Sequence, residues 1–261
     1  MKDKPLWIGT NWKMTKTLSE GIHYCKQVSK MKEKLTSPIN LFVIPPFTSL
    51  SVLKAELADS DLLLGAQNMH WEDRGAYTGE ISPLMVKEIG IDLIELGHSE
   101  RRQYFNENDF DINKKVHAAL RHEIKPLICI GENKQQKDYH VSYEVLAQQL
   151  KICLHGVKEE QLPNILIAYE PVWAIGESGQ PAEASYVAEI HDHLRSVLTD
   201  LYGAAAMDVP LLYGGSVNTE NFKGYLHSSN VNGLFIGRAA WDTTSFEEIL
   251  FHIDSHYHDY R

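Results

Sequence analysis

The sequence has 261 residues, a formal net charge of −10 and 43% apolar residues. The apolar fraction is enough for a large buried core, and the acidic balance argues against a nucleic-acid partner. The three cysteines, Cys25, Cys129 and Cys153, are scattered and form no CxxC pair, so we expect neither a disulfide framework nor a zinc site. We expect the protein to work in a reducing compartment, the cytoplasm. No signal-peptide core and no apolar run of membrane-spanning length is present, so no membrane is expected.

Short apolar runs that are typical of buried strands alternate with helical patterns along the chain. The predicted strands are 6–10, 41–44, 62–66, 93–96, 126–130, 165–169, 210–213 and 233–236. The predicted helices are 19–35, 50–57, 83–89, 109–122, 139–153, 183–201, 218–226 and 246–252. Because strict alternation produces a parallel sheet, we expect an α/β fold with one closed (β/α)8 barrel domain over residues 1–261. An open doubly wound sheet is the alternative.

In such a barrel the functional groups gather at the carboxyl ends of the strands. The polar residues at these ends are Asn11 and Lys13 after the first strand, His98 and Glu100 after the fourth, Glu170 after the sixth, Gly214, Gly215 and Ser216 after the seventh, and Gly237 and Arg238 after the eighth. A cation, an imidazole, a carboxylate and two glycine-containing turns around one mouth suit chemistry on a small phosphorylated carbonyl compound.

The stretch after the sixth strand joins a carboxylate to a loop with hinge signals. Glu170 stands at the strand end, and Pro171 stops the pairing beside it because proline has no N–H group to donate. Residues 172–181 contain two glycines and end on a proline, which is typical of a loop that moves. A base under an apolar lid indicates proton transfer in a site that can exclude water.

Five stretches resemble the signatures of the triosephosphate isomerase family. They are GTNWKM at 9–14, AYTGE at 76–80, GHSERR at 97–102, AYEPVWAIG at 168–176 and YGGSV at 213–217, within a likeness that runs from near residue 5 to near residue 250. The resemblance implies a TIM barrel and an isomerase that needs no metal and no organic cofactor, because the proton moves within one molecule.

The resemblance also implies a role for each candidate. Glu170 is the base, and His98 is a neutral imidazole, kept so by a short helix beginning near Ser99, that polarises the carbonyl. Lys13 stabilises the developing negative charge, Asn11 positions the substrate and Glu100 orients its neighbours.

Phosphate binding and subunit contacts follow from the same resemblance. Backbone amides of Gly176, Ser216 and the Gly237 turn would hold the phosphate, with Gly214 and Gly215 in an anion-binding turn. Residues 75–80 resemble the loop that joins two subunits in a homodimer or a multiple of it, with Thr78 approaching Asn11 of the partner subunit.

Two departures from the family pattern bear on the substrate. Arg238 stands where the family usually has a second glycine, and we expect it either to contact phosphate or to form a salt bridge. The second hinge of the lid, 176–182, lacks the family's lysine and contains Pro181. Family paralogues that act on tetrulose phosphates in erythritol breakdown are similar in carrying this arginine.

We therefore predict interconversion of L-erythrulose 1-phosphate and D-erythrulose 4-phosphate. The alternative is glycolytic triosephosphate isomerisation, between dihydroxyacetone phosphate and glyceraldehyde 3-phosphate. A non-catalytic phosphate-binding barrel and a Schiff-base aldolase using Lys13 remain as other classes. The pair His191 and His193 is expected on a helix surface.

Overall fold

Eight short strands form the centre of the computed structural model, which describes residues 4–176 and 179–260. They are β1 (Leu6–Asn11), β2 (Ile39–Ile44), β3 (Leu63–Ala66), β4 (Leu93–Leu96), β5 (Lys125–Ile130), β6 (Leu166–Tyr169), β7 (Leu211–Tyr213) and β8 (Gly233–Phe235). All neighbouring pairs are parallel, and β1 pairs with both β2 and β8, so the sheet closes in chain order. The predicted (β/α)8 barrel is confirmed.

Helices surround the barrel. They are α1 (Leu18–Lys34), α2 (Leu50–Glu56), α3 (Pro83–Ile89), α4 (Ser99–Tyr104), α5 (Asp109–Arg121), α6 (Lys134–Asp138), α7 (Ser142–Cys153), α8 (Ala184–Tyr202), α9 (Phe222–Leu226) and α10 (Thr243–Ser255). Within the described ranges, no helix combines the length and the apolar character needed to cross a bilayer.

Three predicted helices differ from the observed ones by more than one residue at an end. The run 139–153 is interrupted because His140 adopts a left-handed φ of 58°, so α7 begins only at Ser142. The run 218–226 begins late, at Phe222, because the Asn218 side chain accepts the next amides and forms a turn. The last helix begins early, where Asp242 caps it by accepting from the Ser245 amide at 2.9 Å.

The prediction that His191 lies on a helix surface is wrong. The residue lies on the inner face of α8 and is fully buried, because apolar positions at helical spacing carry that face toward the barrel. Its Nδ1 lies 3.1 Å from the carbonyl oxygen of Asn230. Burial lowers the pKa of His191 to about 4, so the ring is neutral.

An apolar cluster fills the barrel interior below the carboxyl ends of the strands. It consists of Trp7, Phe42, Ile44, Leu93, Leu127, Cys129, Leu166, Ala168, Leu212 and Phe235. Gly9 lies among them because a Cβ there would stand 2.3 Å from the Phe42 ring. Since side chains alternate along a strand, the residues two positions after these interior residues point into the mouth. Asn11, Glu170, Gly214 and Gly237 occupy such positions.

Candidate active site

A cavity of about 680 Å³ opens at the carboxyl ends of the strands. Every residue that the sequence predicted for the site lines it, namely Asn11, Lys13, His98, Glu100, Glu170, Gly176, Gly214, Gly215, Ser216, Gly237 and Arg238. The structure therefore brings together side chains that are up to about 230 residues apart in the chain.

Asn11 is the last residue of β1 and holds the first turn of the site together. Its Nδ2 donates to Oε2 of Glu95 at 2.6 Å, and its Oδ1 accepts from the Lys13 amide at 2.6 Å and from Gln67 Nε2 at 3.0 Å. The two donors on the oxygen and the acceptor at the nitrogen assign the orientation of the carboxamide. We expected Asn11 just past the strand, but its pairing with Ile44 extends β1 to include it.

Lys13 adopts a left-handed backbone conformation, with φ 52°, which is uncommon for a residue with a side chain. Its amide donates to Asn11 Oδ1, and its carbonyl oxygen accepts from Gln67 Nε2 at 2.7 Å. The Nζ atom lies 2.7 Å from Oε1 of Glu100. The strained turn is thus fixed on both sides, and it directs the ammonium into the cavity.

His98 caps α4 and is 5% exposed. Its Nδ1 accepts from the Glu100 amide at 3.2 Å, so the neutral ring carries its proton on Nε2. Burial lowers the pKa of His98; the negative charge of Glu170 opposes that shift, and Lys13 adds to it. The helix begins at Ser99 as predicted, but burial, and not the helix end alone, is the first cause of neutrality.

Glu170 follows β6, and its amide extends the pairing by donating to the Ile130 carbonyl at 2.8 Å. The residue is 6% exposed, and its Oε2 is buried without a hydrogen-bond partner among the described residues. Gly214 makes room for this side chain, since a Cβ there would lie 2.7 Å from Cγ of Glu170. A buried carboxylate with an unused oxygen is a suitable base for a bound substrate.

Three ionisable side chains converge at the cavity: His98 and Glu170 line it, and the buried Glu95 does not. Ligand atoms of Glu95, His98 and Glu170 all lie within 4.8 Å of one another. Protein N–H groups donate to Oε2 of Glu95 and to Nδ1 of His98.

Comparison with known proteins identifies the family. The family model for triosephosphate isomerase matches residues 6–252. The chain belongs to the triosephosphate isomerase family. Three similar proteins are each named L-erythrulose-1-phosphate isomerase. That of Rhizobium etli is 44% identical over 252 residues, 96% of this chain and 93% of that protein. That of Brucella abortus is 45% identical over 249 residues, 94% of each chain. That of Rhizobium meliloti is 42% identical over 253 residues, which are 96% of this chain and 97% of that protein.

As a member of the triosephosphate isomerase family, the protein is a sugar-phosphate isomerase. The predicted lid is held near its first predicted hinge by Glu132, which follows β5 and is fully buried. One carboxylate oxygen of Glu132 accepts from Trp173 Nε1 at 2.8 Å, from Tyr186 Oη at 3.0 Å and from Tyr169 Oη at 3.1 Å. The ammonium of Lys137 lies 3.4 Å from the centre of the Trp173 ring.

Two further hydrogen bonds join the lid to the glycine-containing turns. Ser216 Oγ donates to the carbonyl oxygen of Ala174 at 2.6 Å, and Arg238 Nη2 donates to that of Gly176 at 2.9 Å. The arginine therefore contacts the lid, and among residues 4–176 and 179–260 it forms no ion pair. Residues 177 and 178 of the second predicted hinge lie outside the described residues.

The predicted phosphate end of the cavity carries unused backbone donors. Within the described part of the chain, the amides of Gly176, Ser216 and Gly237 donate to no protein acceptor, and all three residues line the cavity. Gly237 has no atom within 4 Å of an added Cβ, so this turn is open toward the cavity.

Sequence reasoning missed Glu95, Gln67 and Glu132. Glu95 carried a signal, because it is a charged residue inside the apolar run of β4, which is buried on both faces. Gln67 and Glu132 follow β3 and β5, so their positions at strand ends also marked them.

Proposed function

We propose that this protein interconverts L-erythrulose 1-phosphate and D-erythrulose 4-phosphate. The observation that carries the proposal is the convergence of Lys13, His98 and Glu170 on one cavity, in a chain whose relatives carry that substrate in their names. The isomerase assignment disfavours the idle barrel and the aldolase, for which Lys13 would have to attack a carbonyl carbon while its Nζ is paired with Glu100.

Glu170 removes the proton from C3 of L-erythrulose 1-phosphate. The electrons of the C–H bond form a C2–C3 double bond, and the carbonyl oxygen takes the negative charge. His98 donates from Nε2 to that oxygen and then accepts the proton of the neighbouring hydroxyl. Return of the proton from Glu170 to C2 completes the isomerisation without any change in net oxidation state, so we propose that no cofactor takes part.

Positive charge and backbone donors support the two ends of the substrate. Lys13 stabilises the enediolate oxygens electrostatically, and Asn11 orients the carbonyl end. Gly176, Ser216 and Gly237 offer free amides for the phosphate, next to the Gly214–Gly215 turn. Glu100 fixes the relative positions of Lys13 and His98, since its carboxylate accepts from Lys13 Nζ and its amide donates to His98 Nδ1.

Steady-state kinetics with two substrates tests the proposal. We expect L-erythrulose 1-phosphate to have a larger kcat/KM than glyceraldehyde 3-phosphate, and Glu170→Gln to lower kcat by about 10³-fold on either. A larger kcat/KM for the triose would make the glycolytic reaction the true one. Activity that survives in Glu170→Gln would refute the assigned base.

We also propose a homodimer, or a multiple of one, formed through residues 75–80. All six residues are exposed, and Tyr77 presents 46% of its surface to solvent. Met14, next to Lys13, is 96% exposed, which is unusual for a large apolar side chain beside a site. Light scattering on the active enzyme tests this proposal, and an active monomer would refute it.

We also propose a compartment and a pathway for the protein. Cys25, Cys129 and Cys153 are free and buried, which supports a reducing compartment, the cytoplasm. With a tetrulose phosphate as substrate, we place the reaction in erythritol catabolism, and with a triose it would belong to glycolysis. Growth of a deletion strain on erythritol and on glucose distinguishes the two.

A further inference from the structure

A second carboxyl group lies directly beneath the proposed base. Glu95 is in β4, two residues after the interior residue Leu93, so its side chain points into the barrel. It is fully buried and does not line the cavity. It therefore cannot touch a substrate in this structure, and any effect on the reaction has to pass through its neighbours.

The polar neighbours of Glu95 lie on, or just after, β1, β4, β5 and β6. Asn11 of β1 donates from Nδ2 to Oε2 at 2.6 Å, and the Cys129 thiol of β5 lies 3.7 Å from Oε1. Glu170, above β6, and His98, above β4, each have an atom within 4.8 Å of the Glu95 ligand atom. The Lys13 ammonium is the nearby positive charge.

This environment disfavours a second negative charge. Burial raises the pKa of Glu95 well above its usual range, and the neighbouring Glu170 charge adds to this; the amide of Asn11 and the charge of Lys13 only partly oppose it. Two carboxyl groups so close do not both ionise readily. The neutral form retains an oxygen that accepts from Asn11, and it gains an O–H donor on the side chain that has an atom within 4.8 Å of a Glu170 oxygen.

We propose that Glu95 is a positioning residue for the isomerisation, acting as an uncharged carboxylic acid that orients Asn11 and leaves the negative charge to Glu170. Through Asn11 the effect extends to Lys13, whose amide donates to the same carboxamide. The inference rests on the proposed isomerase site and deepens it. It predicts that ionisation of Glu95 in alkaline solution impairs the reaction.

Two substitutions separate the roles of proton and acceptor. Glu95→Gln keeps an acceptor for Asn11 and an N–H donor for Glu170 but cannot ionise. We expect its kcat/KM near neutral pH to remain within about threefold of wild type, and its alkaline decline to move to higher pH. Glu95→Leu removes the acceptor, and we expect kcat/KM to fall about tenfold because the Asn11 amide is then left unpaired.

Leu93→Val is the matched control, since it changes a buried interior residue of the same strand. It should lower stability and leave the pH profile of kcat/KM unchanged. Superimposable alkaline profiles of wild type and Glu95→Gln would overturn the proposal, and so would wild-type kcat/KM in Glu95→Leu.

Infrared spectroscopy reads the proton directly and does not depend on activity. We expect the wild-type protein near neutral pH to show the carbonyl stretch of a buried carboxylic acid, absent from Glu95→Gln and lost on alkaline titration. A wild-type spectrum without that band would also overturn the proposal. An inactive Glu170→Gln enzyme with unaffected Glu95 variants would contradict only this inference, whereas an active Glu170→Gln enzyme would contradict the proposed function itself.

Discussion

Two fully buried glutamates lie in different surroundings: Glu95 is beneath the proposed base, Glu170, and Glu132 is beneath the predicted lid. Glu132 collects three donors, from Trp173, Tyr169 and Tyr186, on a single oxygen. Glu95 has one amide donor and one weak thiol donor, and it faces another carboxyl group. Three donors on one oxygen fix the Glu132 side chain in place, whereas a buried carboxyl group beside a second acid favours its protonated form. Burial alone therefore does not determine what a buried acid does.

The largest effect is expected at Glu132. Glu132→Leu would remove the acceptor shared by the buried Tyr169 hydroxyl and the half-buried Trp173 indole and Tyr186 hydroxyl, and we expect it to lower the free energy of unfolding by about 4 kcal/mol. Urea denaturation measures this. Glu144→Leu, on the exposed face of α7, is the control and should change stability by less than about 0.5 kcal/mol. Equal effects of the two would show that Glu132 does not stabilise the fold in this way.

His191 extends the comparison to a buried base. Burial lowers its pKa from 6.5 to about 4, so the unfolded state binds the proton more tightly. Its contribution to stability is present above pH 6.5 and is lost as the pH falls toward 4, by about 3 kcal/mol in all. We expect His191→Gln to remove most of this dependence in urea titrations at several pH values. If the free energy of unfolding of His191→Gln depends on pH between 6.5 and 4 as steeply as that of wild type, the prediction is wrong.

Glu95 should produce a pH dependence of opposite sign. Because burial raises the pKa of Glu95 above its usual value of 4.5, the folded state holds a proton that the unfolded state releases. Stability is therefore greatest below pH 4.5 and falls as the pH rises toward the raised value. Near neutral pH we expect Glu95→Gln to be more stable than wild type by about 1–2 kcal/mol, a gain that disappears in acid. Thermal unfolding at two pH values measures it, and a loss of stability at neutral pH would refute the neutral-acid assignment.

The smallest effect concerns the other side of the lid. Arg238→Ala removes the hydrogen bond to the Gly176 carbonyl, and we expect kcat/KM to fall about fivefold, mainly through KM. Arg238→Lys keeps the charge without the guanidinium geometry. If lysine restores wild-type kcat/KM, the charge acts on the phosphate, and the contact with the lid is incidental.

Residues at strand ends could be predicted, and residues defined by contacts across strands could not. Lys13, His98 and Glu170 each follow a strand, so the alternation of elements was sufficient to place them at one mouth. The direction of Arg238 depends on a lid carbonyl 62 residues away, which no local pattern encodes. The proposed role of Glu95 likewise depends on contacts with Asn11 on β1 and Cys129 on β5, which the sequence does not reveal. The presence of a charged residue inside a buried strand could be seen in the sequence.

The two glycine-containing turns differ in their freedom to evolve. Gly214 borders Glu170, the proposed base, so closely that any larger residue would displace it. Gly237 faces open space, and Arg238 follows it directly. Descendants of this barrel can therefore explore new substrates by changing the turn after β8, while the turn after β7 stays locked to the chemistry. Selection on substrate range and selection on proton transfer can proceed on separate loops of the same rim.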